Sequence, residues 1–280
     1  MMDCCIPTEI KLDDRLAQRY LGLLRLAAKQ PDRVALSELV AAHLMRVPFE
    51  NISKLHRKRQ GFAGVPDART FLDGMEQYHF GGTCYANNFH LYTLLASLGY
   101  EVKLCAADMA NPDVHMVIMV SVDGREYLVD AGYGAPFLSP LPRDLRDDYV
   151  VGLGRDRYVL KPQDANGCSR LELYRGGALK HGYVAKPAAR RIEDFAEVIA
   201  DSFRPAATFF NAVLLTRFYP KSSVVIHNLE LIESDGTGSR VSRLKDRQNL
   251  AAAIEEYFDI PRPIVNEALT GLGDLVDAWK

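Results

Sequence analysis

Apolar residues recur at helical spacing through the first third of the chain. Tyr20, Leu21, Leu23, Leu24, Leu26 and Ala27 follow a helix-like period, and Ser37-Glu38-Leu39-Val40-Ala41-Ala42-His43-Leu44 predicts a further helix with Ser37 as its N-cap. Pro48 closes that helix, since proline cannot continue the hydrogen-bond ladder. A Gly81-Gly82 turn then opens another apolar helical run, Asn88-Phe89-His90-Leu91-Tyr92-Thr93-Leu94-Leu95. From residue 102 to 160 the pattern changes. β-branched residues and turn dipeptides take over and predict antiparallel strands, broken by the charged loop Arg143-Asp144-Leu145-Arg146-Asp147-Asp148. Asp164-Ala165-Asn166-Gly167 marks a turn between Tyr158-Val159-Leu160 and Leu171-Glu172-Leu173-Tyr174. Residues 192–203 then read as helix, 224–232 as strand and 249–258 as helix. Helices first and strands next predict an α+β protein.

Composition narrows the function classes. The 280 residues are ample to bury a core, and 48% hydrophobic with 25% charged residues is the balance of an ordinary globular protein. A net charge of -2 gives no electrostatic reason to expect nucleic acid as a partner. The cysteines (Cys4, Cys5, Cys84, Cys105, Cys168) are odd in number, and none stands in a metal-ligand spacing. They predict neither a disulfide framework nor a metal site, and they fit a reducing cytoplasm. Met1-Met2-Asp3-Cys4-Cys5-Ile6-Pro7 lacks the basic start and apolar core of a signal peptide. No apolar run approaches the ~18 residues of a transmembrane helix, so no membrane association is expected.

The chemistry concentrates in three residues. Cys84 follows the Gly81-Gly82 turn, His115 opens the strand-like run Met116-Val117-Ile118-Met119-Val120, and Asp130 ends the run Glu126-Tyr127-Leu128-Val129. Thiol, imidazole and carboxylate are the parts of an activated nucleophile: the base takes the thiol proton, and the acid orients the base and stabilises its cation. Asp123-Gly124 predicts a hairpin that sets Ser121 near Glu126, Met119 near Leu128 and Val117 near Asp130. His115 is then a diagonal neighbour of Asp130, within reach of an imidazole and a carboxylate. Cys84 lies at the start of a helix, where the partial positive charge favours an anion and free N–H groups can hold an oxyanion.

These motifs resemble the arylamine N-acetyltransferases, cysteine enzymes that move an acetyl group from acetyl-coenzyme A to an aromatic amine or hydrazine. The family pattern Arg-Gly-Gly-x-Cys-x-Glu-x-Asn is matched by Gly81, Gly82, Cys84 and Asn88, and Asp-x-Gly-aromatic-Gly by Asp130, Gly132, Tyr133 and Gly134. Pro48-Phe49-Glu50-Asn51, Tyr219-Pro220-Lys221-Ser222 and Tyr257-Phe258-Asp259-Ile260-Pro261 extend the resemblance over essentially the whole chain. It implies a helical N-terminal domain carrying the nucleophile (1–97) and an antiparallel β-barrel domain carrying His115 and Asp130 (98–190). A C-terminal α/β lid region (191–280) follows, around a papain-like cysteine-enzyme core. By the same resemblance Cys84, His115 and Asp130 are catalytic, Phe49 and Tyr133 line the acceptor pocket, and Asn111 and Ser222 contact acetyl-coenzyme A as co-substrate; no metal is needed.

Two positions depart from the pattern: Phe80 stands for the arginine and Ala86 for the glutamate. The paired loss leaves Glu50 to seek a cation elsewhere, with Arg46 or Lys54 as candidates, and Phe80 is expected to pack on the Cys84 helix in place of the charges. The departures also keep open an amide synthase that takes its acyl group from an acyl carrier protein. Peptide hydrolysis or transamidation by the same triad, or a binding module on a retired enzyme scaffold, are further readings. Lys54-Leu55-His56-Arg57-Lys58-Arg59 reads either as a solvated loop or as an attractor for a phosphate-bearing donor.

Overall fold

The structure, a computed structural model, describes residues 4–278. Helix α1 (Asp14–Leu23) is capped by Asp13, whose side chain accepts the Leu16 N–H. Helix α2 (Arg33–Arg46) begins earlier than the sequence suggests. Asp32 is its cap, accepting the Ala35 N–H, while the Ser37 hydroxyl bonds back to the Arg33 carbonyl inside the helix. A short strand β1 (Phe49–Glu50) precedes α3 (Ile52–Arg59), α4 (Ala68–Tyr78) and α5 (Cys84–Ser97). The basic run from Lys54 is therefore a helix rather than a solvated loop, with Lys54 and His56 buried.

Strands β2 (Glu101–Asp108), β3 (His115–Val122), β4 (Arg125–Val129), β5 (Leu141–Pro142), β6 (Tyr149–Leu153), β7 (Asp156–Leu160), β8 (Ser169–Arg175) and β9 (Ala178–Arg190) form one antiparallel sheet. Its order is β5-β4-β3-β2-β9-β8-β7-β6. The β3–β4 hairpin has the predicted register, Ser121 opposite Glu126 and Met119 opposite Leu128. Asp123 and Gly124 both take positive φ (52° and 72°), the type I′ geometry that matches strand twist. The charged loop after β5 is anchored: Arg143 is buried, donates to the Ser169 hydroxyl at 3.1 Å and pairs with Glu126.

Residues 192–203 split into a 3-10 turn (Ile192–Phe195) and α6 (Ala196–Asp201). The single strand expected over 224–232 is two, because Asn228 turns the chain with φ of 53°. Strands β10 (Leu214–Tyr219), β11 (Ser222–His227), β12 (Glu230–Asp235) and β13 (Gly238–Arg243) join β1 in a second antiparallel sheet, β1-β10-β11-β12-β13, followed by α7 (Arg247–Phe258) and α8 (Arg262–Leu269). The early strand β1 is thus stitched to the late strand β10, Phe49 opposite Thr216 and Glu50 opposite Leu215. Asn51 locks the seam, donating to the Ala212 carbonyl at 2.7 Å and accepting the Leu214 N–H at 2.9 Å.

Three apolar clusters hold these layers. The largest joins α1, α2, α4 and α5 to the first sheet through residues such as Leu36, Leu91, Leu94, Val117 and Leu128. A second packs α3, α7 and α8 on the second sheet through Ile52, Ile226, Leu250 and Phe258. A third lies under the start of α5, with Tyr85, Phe89, Met116, Phe195 and Ile199. Helix α5 contributes to the first and the third, and each side chain it buries fully contributes roughly 1.5–3 kcal/mol. That double packing fixes the position of its first residue, Cys84. No helix among the described residues is long and apolar enough to cross a membrane.

Candidate active site

The turn that presents Cys84 is held from below by the Pro48-Phe49-Glu50-Asn51 segment. A Cβ on Gly81 would lie 1.9 Å from the Pro48 carbonyl oxygen, so only glycine fits there. Glu50 is fully buried and accepts the Ser53 N–H at 2.8 Å and the Gly81 N–H at 3.2 Å. Burial pushes the Glu50 carboxyl up, countered by Ser53, Arg57 and the Gly81 N–H. The cation facing Glu50 is therefore Arg57, not Arg46 or Lys54; Arg46 donates instead to the Leu24 carbonyl at 2.9 Å. Asn87 completes the turn, donating to the carbonyls of Pro48 and Gly82 at 3.2 and 3.1 Å.

Phe80 does not pack on the Cys84 helix as expected. It belongs to the cluster of α3 and the second sheet, 5.2 Å from the Tyr78 ring and 5.8 Å from His56, with the Arg57 guanidinium 5.7 Å from its face. The aromatic ring here faces a cation, where the sequence pattern would have put the cation at position 80 itself.

His115 and Asp130 leave the ends of adjacent strands and meet in a buried site, 2% and 1% exposed. The carboxylate can only accept, so His115 Nε2 donates to Asp130 Oδ2, at 2.8 Å. That leaves Nδ1 as the ring nitrogen for the Cys84 thiol, which is near enough to raise the His115 pKa. Burial alone would lower the His115 pKa; the Asp130 charge and hydrogen bond, with a smaller contribution from Cys84, outweigh it and raise it. Asp130 shows the converse. Burial would raise its carboxyl, but His115, the Asn88 amide and the Gly132 N–H hold it below the usual range.

Asn88 is the organising residue that the sequence reading named only as a motif match. Its Nδ2 donates to Asp130 Oδ1 at 2.9 Å and to the Met116 carbonyl at 2.5 Å, and its Oδ1 accepts the Ala131 N–H at 2.7 Å. One amide thus ties the helix of the nucleophile to the strand of the base and to the acid. The signal was present in the spacing: Asn88 is four residues after Cys84, one helical turn along the same face. Gly132 closes this corner. A Cβ there would lie 2.5 Å from Cys84 Cα and 2.7 Å from Asn88 Nδ2. Thr83 precedes the helix in extended conformation and makes no side-chain cap, so it leaves the first-turn N–H groups beside the thiol uncommitted.

Tyr133 and Phe49 both line a cleft between the two sheets, together with Tyr158, Thr216, Phe218 and Ser223. The Tyr133 ring stands edge-on to His115 at 5.8 Å, and its hydroxyl lies 2.6 Å from His181 Nδ1. Phe49 meets Phe209 edge-on at 5.8 Å. His181 belongs to this wall and Tyr183 lies 5.0 Å from the His115 ring; neither carried a sequence signal. Asn111 is exposed on the connection between β2 and β3. Ser222 sits at the start of β11, one residue before Ser223, which alternation turns into the cleft. Neither is brought to the nucleophile. His90, buried and stacked 4.1 Å from Phe71, bonds the Pro66 carbonyl at 3.0 Å and is a packing residue. No group of three or more metal-ligating side chains is gathered among the described residues.

Comparison with known proteins places the chain and its fold. A profile described as N-acetyltransferase matches residues 34–265. Proansamycin X synthase of Amycolatopsis mediterranei (strain S699) is 31% identical over 118 residues, 39% of this chain and 45% of that protein. The arylamine N-acetyltransferase of Mycolicibacterium smegmatis is 33% identical over 136 residues, 43% of this chain and 47% of the relative. The matched segment thus spans less than half the length of these curated relatives. In overall structure, the Mycobacterium marinum arylamine N-acetyltransferase in complex with CoA superposes with a TM-score of 0.76 at 22% identity, covering 90% of this chain and 98% of that one.

Proposed function

This chain belongs to the arylamine N-acetyltransferase family, and from that premise we propose that it moves an acetyl group from acetyl-coenzyme A to an arylamine or arylhydrazine through an acyl-cysteine on Cys84. The observation that carries the reading is the His115–Asp130 contact of 2.8 Å with the other imidazole nitrogen left to a thiol at a helix start. Cys84 attacks the thioester carbonyl; the carbon–sulfur bond to the donor breaks, and His115 gives its proton to the departing thiolate. The amine then attacks acyl-Cys84, and His115 takes the amine proton as the new amide forms. Asp130, held by Asn88, keeps the imidazole oriented and stabilises its cation through both halves. First-turn N–H groups of α5 suit the oxyanion of each tetrahedral intermediate.

The aromatic walls of the cleft, Phe49 and Tyr133, favour a flat acceptor. Asn111 and Ser222, polar and outside the buried part of the cleft, keep the role of contacts to the outer part of coenzyme A. The three-part division at about 97 and 190, the papain-like descent of the core and a cytoplasmic location belong to the same proposal. The test is steady-state kinetics with acetyl-coenzyme A and an arylamine varied together. A covalent relay gives parallel double-reciprocal lines; lines that converge would replace it with direct transfer in a ternary complex.

A further inference from the structure

Lys54 is 7% exposed and has no carboxylate partner among the described residues. Its Nζ donates to the Ser202 hydroxyl at 2.8 Å and stands 4.3 Å from the Phe203 ring centre, so one of its three N–H groups is committed to a neutral oxygen. Burial lowers the Lys54 pKa to about 8, and the acidic groups near enough to oppose that are the thiols of Cys84 and Cys4. A buried ammonium without an anion is costly, and protein interiors normally pair it. Lys54 lines a small recess of about 30 Å³ that also touches Arg57, Phe203 and the residues on either side of Cys84, Thr83 and Tyr85. Arg57 makes no direct ion pair among the described residues; its charge faces Glu50 and Asp67 from a distance.

The cavity has a sequence counterpart. Ala86 forms part of its wall, at the position where the motif carries glutamate. A glutamate there would add volume and a carboxylate to a wall shared with Lys54 and Arg57. Alanine removes both the volume and the charge. The site is thus a cationic recess beside the turn that presents Cys84, lined by Thr83 and Tyr85, with Lys54 near enough to feel the charge of the Cys84 sulfur.

We propose that this recess binds the free carboxylate of a dicarboxylic acyl group, so that Cys84 accepts malonyl-class chains as well as acetyl. The inference rests on Cys84 being the acyl carrier. The covalent step is unchanged: the cysteine sulfur bonds the thioester carbonyl, the donor thiolate leaves with the His115 proton, and the distal carboxylate stays ionised against Lys54. A charge-assisted contact in a dry site is strong enough to select one acyl group over another of equal size.

The test mixes the protein, without amine, with malonyl-, propionyl- and acetyl-coenzyme A and follows the intact mass with time. Propionyl matches malonyl in chain length but lacks the carboxylate. The expected result is a malonyl adduct on Cys84, with a malonyl-to-propionyl rate ratio that falls about tenfold or more in Lys54→Met. Ala86→Glu, which keeps the lysine and supplies an internal carboxylate, should lower the same ratio and serves if Lys54→Met does not fold. The wild-type comparison stands without either variant. Acetyl and propionyl adducts without malonyl, or an unchanged ratio in a folded variant, would overturn the inference while leaving acetyl transfer intact. No adduct from any donor would overturn both.

Discussion

The two sides of Cys84 are built on opposite rules. On the side of His115, the carboxylate and the amide are committed: Asp130 is held by imidazole, amide and backbone N–H, and Asn88 spends its amide on three partners. On the side of Lys54, a buried cation meets a hydroxyl, aromatic faces and a cavity. A saturated network has one arrangement and holds reacting atoms in place. An unsaturated one keeps capacity for a ligand. The contrast separates machinery from selectivity within one turn of helix.

Breaking the saturated side should have the largest effect. Asp130→Asn keeps the shape but cannot stabilise an imidazolium, and acyl transfer should fall about 10²-fold or more with the circular dichroism spectrum preserved. Near-normal turnover in that variant would reduce Asp130 to a structural residue. The same substitution sharpens the pH dependence. His115 is raised to about 10, so its share of stability is fully present below its unfolded pKa and is lost as pH rises through about 10. Asp130 is lowered, so its share is present above the ordinary carboxylate range and lost as pH falls through the lowered value. Thermal melts of Asp130→Asn should accordingly lose the acid limb of the wild-type stability profile. A variant profile that parallels the wild type would deny the pair its role.

Asn88→Ala should come next. It strips one donor from a buried carboxylate and leaves the Ala131 N–H without its acceptor, a cost of roughly 1–3 kcal/mol. Acyl transfer should drop about tenfold, since His115 would keep its partner but lose the strut that orients that partner. Loss of stability with unchanged turnover would make Asn88 a packing residue and weaken the contrast between the two sides.

Much of the saturated side was legible in the sequence because local rules fixed it. Asp123-Gly124 dictates a two-residue turn, the turn dictates register, and register carries His115 to Asp130. The open side was not legible. Lys54, His56 and Arg57 read as a solvated loop or a phosphate attractor, yet α3 packs on α8 within the second cluster with Lys54 over the Phe203 ring, and only the tertiary packing shows which cations it buries. Phe80 was misplaced for the same reason: its neighbours on α3 are distant in sequence, and no periodicity links them. Ser37 failed as a cap because Asp32, just upstream, offered the stronger one.

The central claim is that Cys84 carries the acyl group, and the mass of the intact protein tests it most directly. After mixing with acetyl-coenzyme A and no amine, the account predicts one added acetyl group, mapped by peptide digestion to Cys84, lost on addition of an arylamine and absent from Cys84→Ala. An unmodified mass, or an acetyl group found on Cys4, Cys105 or Cys168 instead, would contradict it.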